Sequence, residues 1–366
     1  MTKPPFTPLK LPPKIDYEKL VSEIARAHAS IGRLDEILLQ IKNPRLLSRT
    51  LITREAVLSS QIEGTQVTLS EVLEQEAKGE EGKEETAKEK DFREIINYRH
   101  ALDRGIELLK ERPLTESVIK ELHAILLDST RGQHHAPGEF RRKLVYIGKP
   151  GVTIDAASYV PPLPNEIPEL FSNLERYIHG EERDVLVQIG IAHYQFEAIH
   201  PFEDGNGRIG RLLISLLLYN KGLLAHPFIY LSEFFEEHRQ EYYDLLRGVS
   251  ERADWESWLI FFLRGLDIQA RKTQETCRNI LDLHAALKET MPRLNSKYAH
   301  EFLDALFRNP FFTSKTMRRR LRIRNNQTIF TLIAKFKEVG IITDVTPNKK
   351  RNKFYRFDAL WDVLKK

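Results

Sequence analysis

The chain has 366 residues, 41% of them apolar, 9% aromatic and 30% charged, with 18 Gly, 18 Pro, a single cysteine and a formal net charge of +4. This composition excludes a collagen repeat, a wholly disordered chain and a disulfide scaffold, and the length suits two or three modules. The lone thiol, Cys277, fits a reducing compartment, and neither a membrane-spanning run nor an apolar signal core is present. The expectation is a soluble cytoplasmic protein with no membrane partner.

Gly and Pro punctuate a pattern of helical period, so the expected fold class is mainly α. Residues 17–39 read as an amphipathic helix and residues 46–62 as a second, closing at Gly64. Residues 78–91, KGEEGKEETAKEKD, hold two glycines, no large apolar side chain and dense charge, and read as a loop. Thr115 is placed to cap a helix whose stripe is Val118, Ile119, Leu122, Ile125 and Leu126. Residues 138–162 break the helical period. Leu144, Tyr146 and Ile147 are β-prone, Lys149-Pro150-Gly151 is a turn and residues 158–160 a return strand, which together predict a small β-hairpin flap. Helix resumes over residues 184–199, breaks at His200-Pro201, restarts near Gly207 and stops at Lys221-Gly222. Two further helices cover residues 233–247 and 255–287.

The charge is unevenly spread. Residues 292–366 carry 18 Lys and Arg against 6 Asp and Glu, a net of +12, so the first 291 residues carry −8. In this tail two helices (314–323 and 326–339) precede residues 341–345, a turn at Pro347-Asn348, and residues 354–357, an order that resembles a winged helix-turn-helix. Arg318, Arg319, Arg320, Arg322 and Arg324 cluster, and Lys349, Lys350, Arg351 and Lys353 lie on the expected wing. This basic face reads either as a DNA contact or as a solvated or protein-docking surface.

The segment richest in chemistry is HPFEDGNGRIGR, residues 200–211, between two helical stretches. A glycine-flanked turn that opens a helix aims free N–H groups and the positive dipole end at one point, an anion hole suited to phosphate. Gly205 and Gly207 let the backbone approach closely. Asp204 suits Mg²⁺, which takes one or two carboxylates plus phosphate oxygens and water. Arg208 and Arg211, three apart, share a helix face from which two guanidinium forks can clamp phosphate. His200 is a titratable base beside the turn.

This pattern resembles the signature of the Fic family, H-P-F-x-[DE]-G-N-G-R-x-x-R, and every specified position is matched. VLSSQIEGTQVTL, residues 57–69, is similar to the family's inhibitory motif [ST]-x-x-x-E-[GN], with Ser59, Glu63 and Gly64 in its places. PGEFRRKLVYIG and ASYVPP are similar to its flap. The resemblance implies a Fic helical bundle with three parts: an N-terminal inhibitory region (1–90), a catalytic domain (91–291) and a winged-helix-like domain (292–366). It further implies transfer of AMP from ATP to a hydroxyl side chain of a protein target, or of the chain itself, with release of pyrophosphate. On that analogy His200 deprotonates the hydroxyl, Asp204 holds Mg²⁺, Asn206 meets the α-phosphate, Arg208 the β-phosphate and Arg211 the γ-phosphate. Glu63, Phe202, Glu203, Gly205 and Gly207 complete the nucleotide site, although Phe202 is expected to pack inward and anchor the loop. Tyr242 and Tyr243 occupy the place of the family's adenine contacts, or one of them is core. Glu63 is expected to pair with Arg211 and inhibit transfer by leaving the triphosphate misaligned.

Other patterns are weaker. Glu197 and His200 form the only E-x-x-H, His193 and His200 lack a third helical ligand, and His134-His135 lie on a loop, so no zinc site is assigned. Transfer of another nucleotide-type group and a DNA-binding regulator with a nucleotide-sensing Fic part remain as rival readings, and homodimerisation and self-modification stay open.

Overall fold

The structure is a computed structural model that describes residues 4–41, 45–79, 86–130, 132–148, 151, 153–349 and 353–365. In chain order its first helices are α1 (Val21–Leu39), α2 (Arg45–Ile62), α3 (Leu69–Lys78), α4 (Ala87–Leu109), α5 (Glu116–Leu127), α6 (Ile167–His179), α7 (Val185–Ile199) and α8 (Asn206–Asn220). They are followed by α9 (Ser232–Glu237), α10 (Arg239–Arg252), α11 (Trp255–Thr290), α12 (Ala299–Arg308), α13 (Ser314–Arg320), α14 (Asn326–Glu338) and α15 (Asp358–Leu364). Three short strands, β1 (Phe311–Thr313), β2 (Thr343–Asp344) and β3 (Phe354–Arg356), form an antiparallel sheet in the order β1-β3-β2. The fold is mainly α, as the periodicity predicts, and no described helix is long and apolar enough to cross a membrane.

Residue contacts divide the chain into two compact units: residues 1–36, 55–66 and 87–271 form the first, and residues 37–54, 67–86 and 272–366 the second. At the centre of the first, α7 is buried on nearly every side, which its sequence VLVQIGIAHYQFEAI allows because it carries few polar side chains. Asp184 caps it by accepting the N–H groups of Leu186 (2.9 Å) and Val187 (3.1 Å). α6 and α8 pack against α7, while α4 and α5 pair with each other and with α8. In the second unit α3 lays Leu73 and Ala77 on Phe311 and Phe354 of the sheet, and Phe302, Phe312, Met317 and Phe336 are buried.

Several expectations need correction. Of the loop predicted over 78–91, Gly79 ends α3 in the left-handed conformation, residues 80–85 lie outside the described residues, and residues 87–91 are already helix. The predicted flap forms no strands among the described residues; one antiparallel bridge joins Ile147 to Tyr159, and its turn residues Lys149 and Pro150 lie outside the described residues. Backbone bonds at Ile147 hold it, its N–H donating to the Tyr159 carbonyl (2.8 Å) and its carbonyl accepting the Ser158 N–H (2.8 Å); Tyr159 also donates to the Ala198 carbonyl (2.7 Å), and Pro161 and Pro162 have no N–H to extend a ladder. Thr115 sits at the N-cap of α5 without a capping bond, its hydroxyl pairing with Ser117 Oγ (3.0 Å) instead, while the Glu175 carboxylate accepts the Glu116 N–H (2.7 Å). The helix predicted over 233–247 is two helices, broken at His238. In the tail α12, β1 and α15 went unpredicted, Arg322 turns left-handed after α13, and Lys350 and Arg351 lie outside the described residues.

Candidate active site

All of the site described here belongs to the first unit. It begins where α7 ends. His200 takes a left-handed backbone (φ 49°), unusual for a side chain followed by proline. Its N–H caps the helix by donating to the Phe196 carbonyl (3.0 Å). What fixes the strained turn is Arg141, itself 2% exposed. Its guanidinium donates to the carbonyls of His200 (2.8 Å), Pro162 (2.7 Å) and Lys143 (3.1 Å), and its own N–H donates to the Pro201 carbonyl (2.9 Å). Burial, and then the Arg141 charge, push the His200 imidazole down to about 4, and its Nδ1 has no hydrogen-bond partner among the described residues. The ring is therefore neutral at pH 7.

The loop that follows is closed by Asn206, whose Oδ1 accepts the Phe202 N–H and whose Nδ2 donates to the Phe202 carbonyl, both at 2.9 Å. Phe202 is wholly buried and stacks on His123 with ring centres 3.7 Å apart. Its ring anchors the loop and is not available to a ligand, which removes it from the predicted nucleotide contacts. His123 in turn accepts the Gly138 N–H at Nδ1 (2.9 Å), so its proton lies on Nε2, which donates to the Asp204 carbonyl (2.9 Å). Burial pushes this imidazole down to about 4 and keeps it neutral. Gly205 has φ 79°, which puts α8 directly beyond the turn. The first helical bond of α8 runs from the Ile209 N–H to the Gly205 carbonyl (3.0 Å), leaving earlier N–H groups of the first turn without helical acceptors.

Charged side chains surround this helix end. Asp204 Oδ1 accepts the Gly205 N–H (2.6 Å) and lies 3.4 Å from Arg208, while its side chain stays 41% exposed. Arg208, buried, also faces Glu94 at 3.5 Å. Glu203 points elsewhere, toward His135 (3.5 Å) and Lys143 (3.9 Å). Arg211 is buried and fully engaged with α2: Nε donates to Ser59 Oγ (2.9 Å), and Nη2 donates to the Ser59 carbonyl (2.9 Å) and to Glu63 Oε1 (2.7 Å). Burial works against the Glu63 charge, but Arg211, and then Arg208, hold its carboxyl below the usual range. A Cβ on Gly207 would stand 2.2 Å from Glu63 Oε1, so only glycine leaves room for this carboxylate. Gly64 (φ 98°) turns the chain away just after it.

Two further carboxyls back Arg211. Glu55, one turn before Ser59 on α2, accepts from Ser232 (2.5 Å) and Tyr98 (3.2 Å) at Oε1, while Oε2 has no partner among the described residues. Burial pushes both Glu55 and Glu197 up to about 7. The tyrosine pair separates: Tyr242 is 1% exposed, stacks on Phe235 and donates to His193 Nε2 (2.9 Å), whose Nδ1 donates to the Gly210 carbonyl (3.0 Å). Tyr242 is thus core, and Tyr243 is the ring at the surface. Among the described residues no group of three or more His, Cys, Asp or Glu side chains could hold a metal ion.

The structure brings His200, Asp204, Asn206, Gly207, Arg208 and Arg211 together with Ser59 and Glu63. Sequence reasoning missed Arg141, His123 and Glu55. The only local hints were a histidine inside the apolar stripe of α5 and a glutamate one turn before the Ser59 motif.

Residues 21–107 match the Fic/DOC family N-terminal profile and residues 113–218 the Fic/DOC family profile. The chain is 35% identical over 117 residues to the protein adenylyltransferase Fic of Culex quinquefasciatus, a match covering 31% of this chain and 20% of that protein. It is 33% identical over 150 residues to that of Drosophila melanogaster, covering 39% of this chain and 26% of that protein. The matched stretches therefore span well under half of these relatives. A crystal structure of a Fic family protein from Desulfovibrio desulfuricans superposes with a TM-score of 0.61 at 22% identity, over 95% of this chain and 98% of that one, and shares its fold.

Proposed function

Because the chain belongs to the Fic/DOC family, we propose that it is a protein adenylyltransferase, moving AMP from ATP to a Ser, Thr or Tyr hydroxyl of a target protein or of itself, restrained by Glu63. The observation that carries this reading is the half-buried His200 imidazole, pushed below its ordinary value by desolvation, beside a helix N-terminus that bears two buried arginines.

In the proposed reaction the target hydroxyl oxygen bonds to the α-phosphorus as the bond to the bridging oxygen breaks. Pyrophosphate leaves with that electron pair, and His200 takes the hydroxyl proton. Such transfers depend mostly on positioning and charge neutralisation. The free N–H groups at the head of α8 would hold phosphate oxygens, and Asn206 shapes that cradle through its two bonds to Phe202. Arg208 and Arg211 supply the guanidinium forks. Asp204, exposed on one side and the lone carboxylate on the turn tip, fits Mg²⁺ completed by phosphate oxygens and water, where the ion would neutralise phosphate charge. Glu63 occupies the Arg211 fork that a γ-phosphate would need, so ATP bound alongside it would be misaligned for attack.

The test incubates the parent and Glu63→Gly with Mg²⁺ and ATP labelled at the α or γ position. Label retained from α alone supports adenylylation; from γ alone it indicates kinase chemistry. His200→Ala in the Glu63→Gly background should abolish transfer, and persistence would refute His200 as the base.

A second reading, a DNA-binding regulator whose Fic part senses nucleotide, draws on the second unit. Its order α12-β1-α13-α14-β2-β3 supports the reading of a winged helix, and it carries the arginine cluster. No retained label together with salt-sensitive duplex binding would favour it.

A further inference from the structure

The second unit contains a cavity of about 460 Å³ at the turn from α13 to α14, closed on one side by the end of α3. Six cationic side chains line it, Lys78, Lys315, Arg318, Arg319, Arg322 and Arg324, and no acidic side chain does. None of the six is ion-paired with a described carboxylate. Arg318 donates to Asn326 Oδ1 (2.9 Å), and Lys78 lies over the Phe354 ring. Like charges converging on one concave space repel one another, and low-dielectric walls concentrate their field on whatever anion enters. On the same helix, Arg320 has a buried Nη1 with no partner among the described residues. Burial, and then Arg49, push that guanidinium down to about 10, with the Glu76 carboxylate acting against them.

The turn is shaped to present this charge. Arg322 takes a left-handed backbone (φ 53°), which ends α13 and places Arg322 and Arg324 on the connection ahead of Asn325, the cap of α14. Lys78 arrives from a distant part of the sequence, because the apolar face of α3 packs on the β-sheet. The result is a concave set of cations rather than a basic stripe along one helix. Guanidinium forks suit phosphate oxygens bidentately, and the volume matches a nucleotide-sized group rather than a single ion.

We propose that this cavity is a binding site for linked phosphates, supplied either by a free polyphosphate or nucleotide or by the backbone of a nucleic acid. The proposal does not depend on the transfer reaction, since it rests on residues of the second unit alone.

The experiment titrates the full-length protein with inorganic tripolyphosphate and, in a separate arm, with a short DNA duplex at low salt. Both are repeated with Lys315→Glu/Arg319→Glu, two exposed positions, and with Arg322→Asn, which keeps a residue type at ease with a left-handed backbone. The parent should bind at least one probe. The double variant should bind it at least ~10-fold more weakly, with a salt slope smaller by about 2. Arg322→Asn should weaken it less, and α-label transfer by the Glu63→Gly form should not change in either background. Loss confined to tripolyphosphate assigns a free polyphosphate, and loss confined to duplex, or loss of both with duplex the tighter, assigns nucleic acid. Binding that Arg322→Asn and any folded double variant leave unchanged, or no binding by the parent at low salt, would overturn the proposal.

Discussion

Glu63 Oε1 lies 2.7 Å from Arg211 Nη2 in the space that a side chain on Gly207 would take. One residue supplies the carboxylate, one the fork, and a glycine the room. Since the pair holds Glu63 below its ordinary range, its contribution to stability is complete above the ordinary carboxylate value. It is lost as pH falls through the folded value of Glu63.

Gly207→Ala should push Glu63 off Arg211, because the added Cβ would also stand 3.0 Å from Arg211 Nη1. The expected loss in a denaturant titration is about 1–3 kcal/mol. In a cycle with Glu63→Gly the two changes should be less than additive by at least about 0.5 kcal/mol. Strict additivity would mean that the carboxylate does not fill this space.

His200 should titrate near 4, not near the 6.5 of a free imidazole. Its neutral form is the one that folding favours, so its stabilising contribution is present above 6.5 and is lost as pH falls from there through about 4. An NMR titration of the imidazole, assigned with His200→Ala, checks this. A midpoint at 6.5 would contradict a desolvated imidazole.

Glu55 behaves in the opposite sense. Its folded value of about 7 lies above the 4.5 of a free glutamate, so its contribution is present below 4.5 and is lost as pH rises through 7. Glu55→Gln should therefore reduce the fall in stability between pH 5 and pH 8 by about 1–3 kcal/mol. An unchanged pH dependence would show that the buried carboxyl is not the titrating group.

Arg141→Lys should loosen the His200-Pro201 turn, since one ammonium cannot reach the separate carbonyls that the guanidinium spans. Loss of charge-assisted bonds should cost about 1.5–3 kcal/mol of stability. Transfer by the Glu63→Gly form should fall mainly in kcat. Wild-type stability in the variant would mean that the turn holds itself.

The readable parts of this protein are those in which neighbours in sequence are neighbours in space. The period of α7 and α8, the proline that parts them and the cap at Asp184 are local signals, and the structure places each within a residue or two. Ser59 and Glu63 were legible for the same reason, being four residues apart across the end of α2 and followed by a positive-φ glycine. Arg141 and His123 were not, because their partners are backbone carbonyls and N–H groups from other segments, which leave no mark on nearby residue types. The flap failed for a related reason: β-prone side chains at Leu144, Tyr146 and Ile147 stay exposed, and among the described residues the pairing stops at the single bridge between Ile147 and Tyr159. Charge gave the opposite lesson, since a net of +4 hides a basic tail whose cations meet only when the α13–α14 turn and α3 come together.

The central claim is that His200 and the α8 cradle transfer AMP while Glu63 holds Arg211 back. Its most direct test is the rate at which protein retains the α-phosphate label of ATP in parent, Glu63→Gly and Glu63→Gly/His200→Ala, with Mg²⁺ and a target lysate present. The parent should label slowly, Glu63→Gly faster by at least ~10-fold, and the double variant not at all. Equal labelling by parent and Glu63→Gly, or labelling that survives loss of His200, would contradict it.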